Sequence, residues 1–215
     1  MSTGTFDKRE HLAGCKRLPA EIDASRLHAE VARIPADAWD NQRAPVHRHT
    51  RSVFLKGYPP ALHMPDDPEQ PVLENCPYIR TLMYGLLPGS VGKCLLASLQ
   101  PGHLVYPHTD SANAYFIGSF RVHIPVVTSP QALVFCNGEF FHMACGEAWL
   151  LNNLAPHAVI NDHPDLSRIH LIFDVFPTAE AVAVVDGLPE TRGRSEPDIL
   201  RRLVAASHAD AGQKL

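Results

Sequence analysis

The stretch YPHTDSANAYF, residues 106–116, brings a histidine and an aspartate within two positions of each other, directly after a β-branched and aromatic run. In an extended chain, side chains at i and i+2 share a face, so His108 and Asp110 can address one ion while Thr109 points away. The candidate third ligand is His157 in LLNNLAPHAVIND, 49 residues later, where Pro156 precedes a return to β-rich sequence. Two histidines and one carboxylate on one face of an octahedron leave three positions open, the arrangement that suits Fe(II) oxygen chemistry. Taken alone, a His-x-Asp triplet is weak, because such triplets commonly decorate solvent turns. Its weight comes from the residues around it.

Arg168 opens RIHLIFDVF, eleven residues after His157. There Arg168, His170 and Ile172 alternate with Ile169, Leu171 and Phe173, which leaves almost no wet face in the segment. A guanidinium in such a strand requires an anionic partner. Its planar fork suits the distal carboxylate of a dicarboxylate co-substrate. The same alternation recurs in SFRVHIPVV, where Arg121, His123 and Pro125 share one face against Val122, Ile124 and Val126. Arg121, His123, Arg168 and His170 together imply a cationic interior that takes up an anion.

Weaker candidates each carry a plain structural alternative. Trp149 in GEAWLL reads as a core or wall residue ahead of a substrate platform. His142 beside the Asn137-Gly138 dipeptide is either a rim donor or a strand-surface residue, and His170 either lines the cavity or sits behind it. Asn152 and Asn153, just before His157, either orient a ligand or form the turn. In RAPVHRHTRSVFLKGY, residues 43–58, His47, His49 and Arg51 fall on one face of a possible strand. A solvated basic edge is the plainer reading there, and recognition of a substrate carboxylate by Arg43, His49 or Arg51 is the functional one.

Positioning these groups falls to a chain of 215 residues, 45% hydrophobic, with a formal charge of −4 and no basic block, long enough for one substantial core. That balance argues against nucleic-acid or anionic-membrane partners and for small or locally charged ones. Five cysteines without CxxC spacing read as reduced, mostly buried thiols. With no secretory signature at the N-terminus and no membrane-length apolar run, the expected location is cytoplasmic. Residues 21–34 carry apolar positions at near-helical spacing, with Asp23 or Ser25 as N-cap and Pro35 as a stop. Residues 59–78 are proline-rich without a period, which predicts a loop or irregular insertion. From Lys93 onward, eight short apolar runs separated by turn residues predict an antiparallel sandwich or barrel. Asn137-Gly138 marks a two-residue hairpin, and EPDILRRLVAASHA predicts a C-terminal helix.

The motifs YPHTD, FRVHIPV, GEAWLLNNLAPHAV and RIHLIFDVF, in this order and spacing, resemble the aspartyl/asparaginyl β-hydroxylase family of Fe(II)/2-oxoglutarate dioxygenases, which includes cis-4-proline hydroxylases. The close resemblance runs from about Cys94 to Pro177, with a looser one reaching back to the helix near Asp23. It implies a mainly β, double-stranded β-helix (jelly-roll, cupin-like) barrel with an N-terminal and a C-terminal helix. The expected organisation is one dioxygenase domain over 1–215: an N-terminal segment (1–92), a jelly-roll core (93–177) and a helical tail (178–215). By resemblance the metal ligands fall on His108, Asp110 and His157, the distal-carboxylate arginine on Arg168, and the RxH pair at the other end of the co-substrate on Arg121 and His123. A serine assisting the distal carboxylate falls on Ser98. Asp110 places the chain nearer the branch that keeps a carboxylate ligand.

The implied activity is hydroxylation of an amino acid, free, carrier-tethered or peptidyl, using Fe(II), 2-oxoglutarate and O2, with succinate and carbon dioxide as co-products. Two other readings compete. One is a cupin-like metal enzyme without 2-oxoglutarate, and the other a non-catalytic anion-binding barrel.

Overall fold

The computed structural model describes residues 6–40, 45–57 and 66–212. Within them the elements run β1 (Cys15–Leu18), α1 (Ala24–Ala32), β2 (Thr50–Lys56), α2 (Pro77–Gly85), β3 (Gly89–Leu99), β4 (His103–His108), α3 (Ala114–Ile117), β5 (Phe120–Val127), β6 (Ala132–Cys136), β7 (Glu139–Phe141), β8 (Ala148–Leu151), β9 (His157–Asn161), β10 (Arg168–Pro177), α4 (Ala179–Gly187) and α5 (Pro197–Gly212). The strands form a six-stranded sheet, β1-β8-β5-β10-β3-β2, and a four-stranded sheet, β4-β9-β6-β7. Every pairing is antiparallel. All eight strands expected after Lys93 are present, and the fold is the expected jelly roll.

Each sheet turns one face to helices and the other to a shared cavity. On the larger sheet Phe120, Val122 and Ile124 of β5 and Leu171, Phe173 and Val175 of β10 join Leu27 of α1, Ile79 of α2 and Val185 of α4 in one buried cluster. Full burial of such a side chain contributes roughly 1.5–3 kcal/mol, so this face fixes the strand register firmly. On the smaller sheet Leu133, Phe135, Ala158 and Ile160 pack with Leu203 of α5. Because the outward faces are covered, both faces of β5 and β10 are apolar or buried, which explains their lack of polar alternation.

Local signals account for several boundaries. Asp23 caps α1 by accepting from the Arg26 amide at 2.9 Å. The β6–β7 hairpin closes on Asn137 and Gly138, both at positive φ (48° and 92°), as a two-residue turn requires.

Residues 71–78 depart from the expected loop. Residues 71–75 form a 3-10 turn, and Pro77 opens α2 at the position where its missing N–H costs nothing. The buried Glu30 carboxylate of α1 accepts from the Tyr78 and Ile79 amides at 2.7 and 2.9 Å, capping α2 from a distant part of the chain. Three further elements join those expected: β1, which extends the larger sheet along β8, the short α3, and α4, which precedes the C-terminal helix. No helix among the described residues is long and apolar enough to cross a membrane.

Candidate active site

His108 ends β4 and His157 begins β9, and the two are direct cross-strand partners. Their rings lie 4.2 Å apart between centroids. Asp110 follows in the loop after β4, where its amide donates to the Asn153 carbonyl at 2.9 Å. Ligand atoms of His108, Asp110 and His157 all fall within 4.8 Å of one another. His108 Nδ1 faces the Tyr106 carbonyl at 2.8 Å, and His157 Nδ1 faces the Ala155 carbonyl at 3.1 Å. With each Nδ1 donating to a carbonyl, each Nε2 presents a lone pair, the state a metal ligand needs. His108 Nε2 is buried without a hydrogen-bond partner, which fits the donor set of a metal ion. Burial, followed by the charge of His108, pushes His157 down to about 4, leaving it neutral at neutral pH.

The aspartate is held firmly. Its Oδ2 accepts from Arg121 Nη1 at 2.5 Å and from Asn153 Nδ2 at 2.8 Å. Burial alone raises the Asp110 carboxyl, but Arg121, then His157, Asn153 and His108, outweigh it and hold the group far below the usual range. Arg121 also makes a bidentate pair with its cross-strand partner Asp174, at 2.8 and 3.0 Å. Tyr115 donates to Asp174 as well, at 3.1 Å.

At the other end of the cavity Arg168 is 4% exposed and faces no carboxylate among the described residues. Its partner is His170 Nδ1 at 2.8 Å, and burial lowers the guanidinium to about 9. His123 has both ring nitrogens buried without a hydrogen bond, and Thr50 Oγ1 is likewise unpartnered. Burial and the Arg168 charge keep His123 well below its ordinary pKa, so it is neutral. Arg168, His123 and Thr50 line the same cavity as His108, Asp110 and His157, with Leu95, Leu99 and Ile172 as apolar wall.

The sequence matches the family described as Aspartyl/Asparaginyl beta-hydroxylase over residues 27–177, well over half of the chain. The chain belongs to that family. Its membership makes the protein a 2-oxoglutarate-dependent hydroxylase, with iron(II), 2-oxoglutarate and O2 as the cofactor set, and closes the two competing readings. No curated protein matches in sequence. Among solved structures, the chain resembles a 2OG-Fe(II) oxygenase family oxidoreductase from Burkholderia pseudomallei at 16% identity and TM-score 0.56, covering 78% of this chain and 85% of that one. It also resembles a Trichoplax adhaerens prolyl hydroxylase crystallised with a hypoxia inducible factor peptide fragment, at 13% identity and TM-score 0.53 over 80% and 87%. A third likeness is HygX from Streptomyces hygroscopicus with nickel and 2-oxoglutarate bound, at 12% identity and TM-score 0.50 over 88% and 98%. These likenesses bear on the fold.

Against this family frame, several expected positions move. Ser98 pairs with Ile169 and Arg51 and lies on the side of β3 away from the cavity, because it alternates with Ala97 and Leu99, which face in. Thr50, across β3 in the same row as Arg168 and Leu99, is the hydroxyl that reaches the cavity. Arg121 lines the cavity, but three of its N–H groups are taken by Asp174 and Asp110, so it braces Asp110 where a co-substrate contact was expected. His170 sits behind Arg168, outside the cavity lining. Trp149 packs in a separate cluster with Phe141 and donates to Glu147 at 3.0 Å, as the plainer reading expected.

The remaining weaker candidates also scatter. His142 faces the Ala132 carbonyl and is absent from the cavity wall. The strand expected to carry His47, His49 and Arg51 begins only at Thr50: His47 sits in a 3-10 turn and lines the cavity, and His49 stacks edge-on against His103. Arg51 donates to the Ala36 and Trp39 carbonyls, away from the cavity. Arg43 lies outside the described residues.

Sequence reasoning missed Asp174, Thr50, Lys93 and Lys8. Asp174 was readable by the argument applied to Arg168, since it lies on the same face of the same dry strand. Lys93 lines the cavity near Phe116, 5.5 Å from its ring centroid. Lys8 reaches Asn153 from a segment that carries no recognisable motif.

Proposed function

We propose that His108, Asp110 and His157 hold the iron and that Arg168 anchors the distal carboxylate of 2-oxoglutarate, for hydroxylation of an amino acid or an aspartyl/asparaginyl-type residue at an unactivated C–H bond. Bound together, the metal, 2-oxoglutarate and O2 supply the oxidation, with succinate and carbon dioxide as co-products. The observation that carries the reading is Arg168, a buried cation with no carboxylate of its own, on a cavity that also holds three converging metal ligands. Thr50 and His123 offer further hydrogen bonds to the same anion. Leu95, Leu99, Val159 and Ile172 exclude water from it. Tyr106 and Ala155 fix the imidazoles through their carbonyls, and no protein group is required to move a proton.

For the substrate, the complete His-Asp-His set supports a reading nearer the branch that keeps a carboxylate ligand, which includes enzymes for free amino acids. Carrier-tethered or peptidyl residues share the same reactive group. Screening the twenty amino acids and short peptides for a mass gain of one oxygen separates these. Succinate formation should be stimulated by the true substrate and lost in His108→Ala and His157→Ala. Undiminished succinate in both variants overturns the ligand assignment. The weak visible charge-transfer band of Fe(II) with 2-oxoglutarate, recorded without oxygen, should appear in the wild type and disappear in Arg168→Met.

A further inference from the structure

We infer that Lys8 is a positioning residue for the metal site: acting through Asn153, it holds Asp110 so that one carboxylate oxygen is engaged by protein donors and the other is left for the ion. The inference rests on reading His108, Asp110 and His157 as the ligands. Oδ2 of Asp110 carries the Arg121 and Asn153 hydrogen bonds, while Oδ1 lies 3.8 Å from His108 Nε2, inside the ligand cluster. A carboxylate tied in this way at one oxygen binds a metal through the other, as a monodentate ligand.

The Asn153 amide could present either its nitrogen or its oxygen to Asp110. Lys8 decides between them, because its Nζ meets Asn153 as an N–H donor. Lys8 Nζ donates to Asn153 Oδ1 at 2.5 Å, which turns the NH2 group toward Asp110. Both residues are 0% exposed, so neither orientation is compensated by water.

The placement of Lys8 is built into the fold. It sits in the 3-10 turn of residues 8–10, outside the 27–177 family match. That segment is stitched to the turn bearing Asn153: the Asn152 amide donates to the Gly14 carbonyl at 2.9 Å, and Asn152 Nδ2 donates to the Leu12 carbonyl at 2.8 Å. β1 then continues along β8, the strand that leads into this turn. A fully buried ammonium is costly without polar partners. Burial, followed by the Arg121 charge, lowers Lys8 to about 7 against the opposing pull of Asp174 and Asp110, and Nζ keeps N–H groups to donate in either protonation state.

The test reads metal binding without turnover, by titrating Co(II) into apo wild type, Lys8→Met and the control Arg9→Ala while following visible absorption. Arg9 lies on the same turn, exposed and paired with Asp7. Lys8→Met should raise the Co(II) Kd by about tenfold or more, the scale of losing an outer partner of a ligand, and should change the absorption envelope as Asp110 reorients. Arg9→Ala should match the wild type. Lys8→Gln, which keeps an N–H donor on a shorter arm, should fall between, and it carries the test if Lys8→Met does not fold. A folded Lys8 variant with a Kd within about twofold of wild type and an unchanged spectrum overturns the role of Lys8 while leaving the ligand set intact. A wild type that binds no Co(II) overturns the ligand reading, and this inference with it.

Discussion

The two ends of the cavity treat buried charge in opposite ways. At the end that holds His108, Asp110 and His157, Arg121 is closed off by Asp110 and Asp174, and each carboxylate has a further donor in Asn153 or Tyr115. At the far end Arg168 has a neutral histidine for company and no carboxylate among the described residues. Both arginines are buried and both lie on the cavity side of adjacent strands. The difference teaches that a buried charge satisfied within the chain is scaffold, whereas one left unsatisfied is held ready for a ligand.

Substituting the two arginines by the same residue should break the molecule in opposite senses. Arg121→Met strands two buried carboxylates and should lower the unfolding free energy by about 3–5 kcal/mol, measured by urea denaturation of the apo-protein. Arg168→Met should leave that value unchanged or higher, because it removes an uncompensated cation. It should also raise the 2-oxoglutarate KM by about thirtyfold or more, the scale of losing a buried charge pair of at least 2 kcal/mol. Equal destabilisation by the two variants would erase the distinction.

Acid should separate the ends as well. Burial raises the Asp174 carboxyl, but Arg121 outweighs it and holds the group at about 2, against an ordinary 3.8. A carboxylate with a depressed folded pKa stabilises the protein above its unfolded pKa, and this contribution is lost as pH falls through about 2. The shift corresponds to about 2 kcal/mol. Unfolding free energy measured between pH 4 and pH 2 should fall by about that much more in wild type than in Asp174→Asn.

The smallest effects concern hydroxyls. Thr50→Val removes one neutral hydrogen bond to the co-substrate and should raise its KM by about three- to tenfold. Ser98→Ala, on the far side of β3, should leave that KM unchanged. The reverse ordering of this pair would mean that β3 presents its other face to the cavity.

How much of this was legible in the sequence follows from the range of the signals. Two-residue periodicity is local, so it marked His108, Asp110, Arg121, His123 and Arg168 as inward-facing and placed the later strands. Ser98 went astray because family position outranked periodicity: Ala97 and Leu99 face the cavity, so their neighbour cannot. Arg121 was read without Asp174 because their pairing depends on the register of β5 against β10. The capping of α2 by Glu30 and the contact of Lys8 with Asn153 span 48 and 145 residues, and no local pattern announces either. Long-range polar pairs such as these are created by the folded topology.

The carbonyls of Tyr106 and Ala155 carry one more consequence. Both imidazoles are aimed by main-chain oxygens two residues upstream, and every amino acid supplies the same oxygen. The orientation of His108 and His157 is therefore indifferent to which side chains occupy positions 106 and 155. Substitution at either position can change the surface around the site while the imidazoles keep their aim.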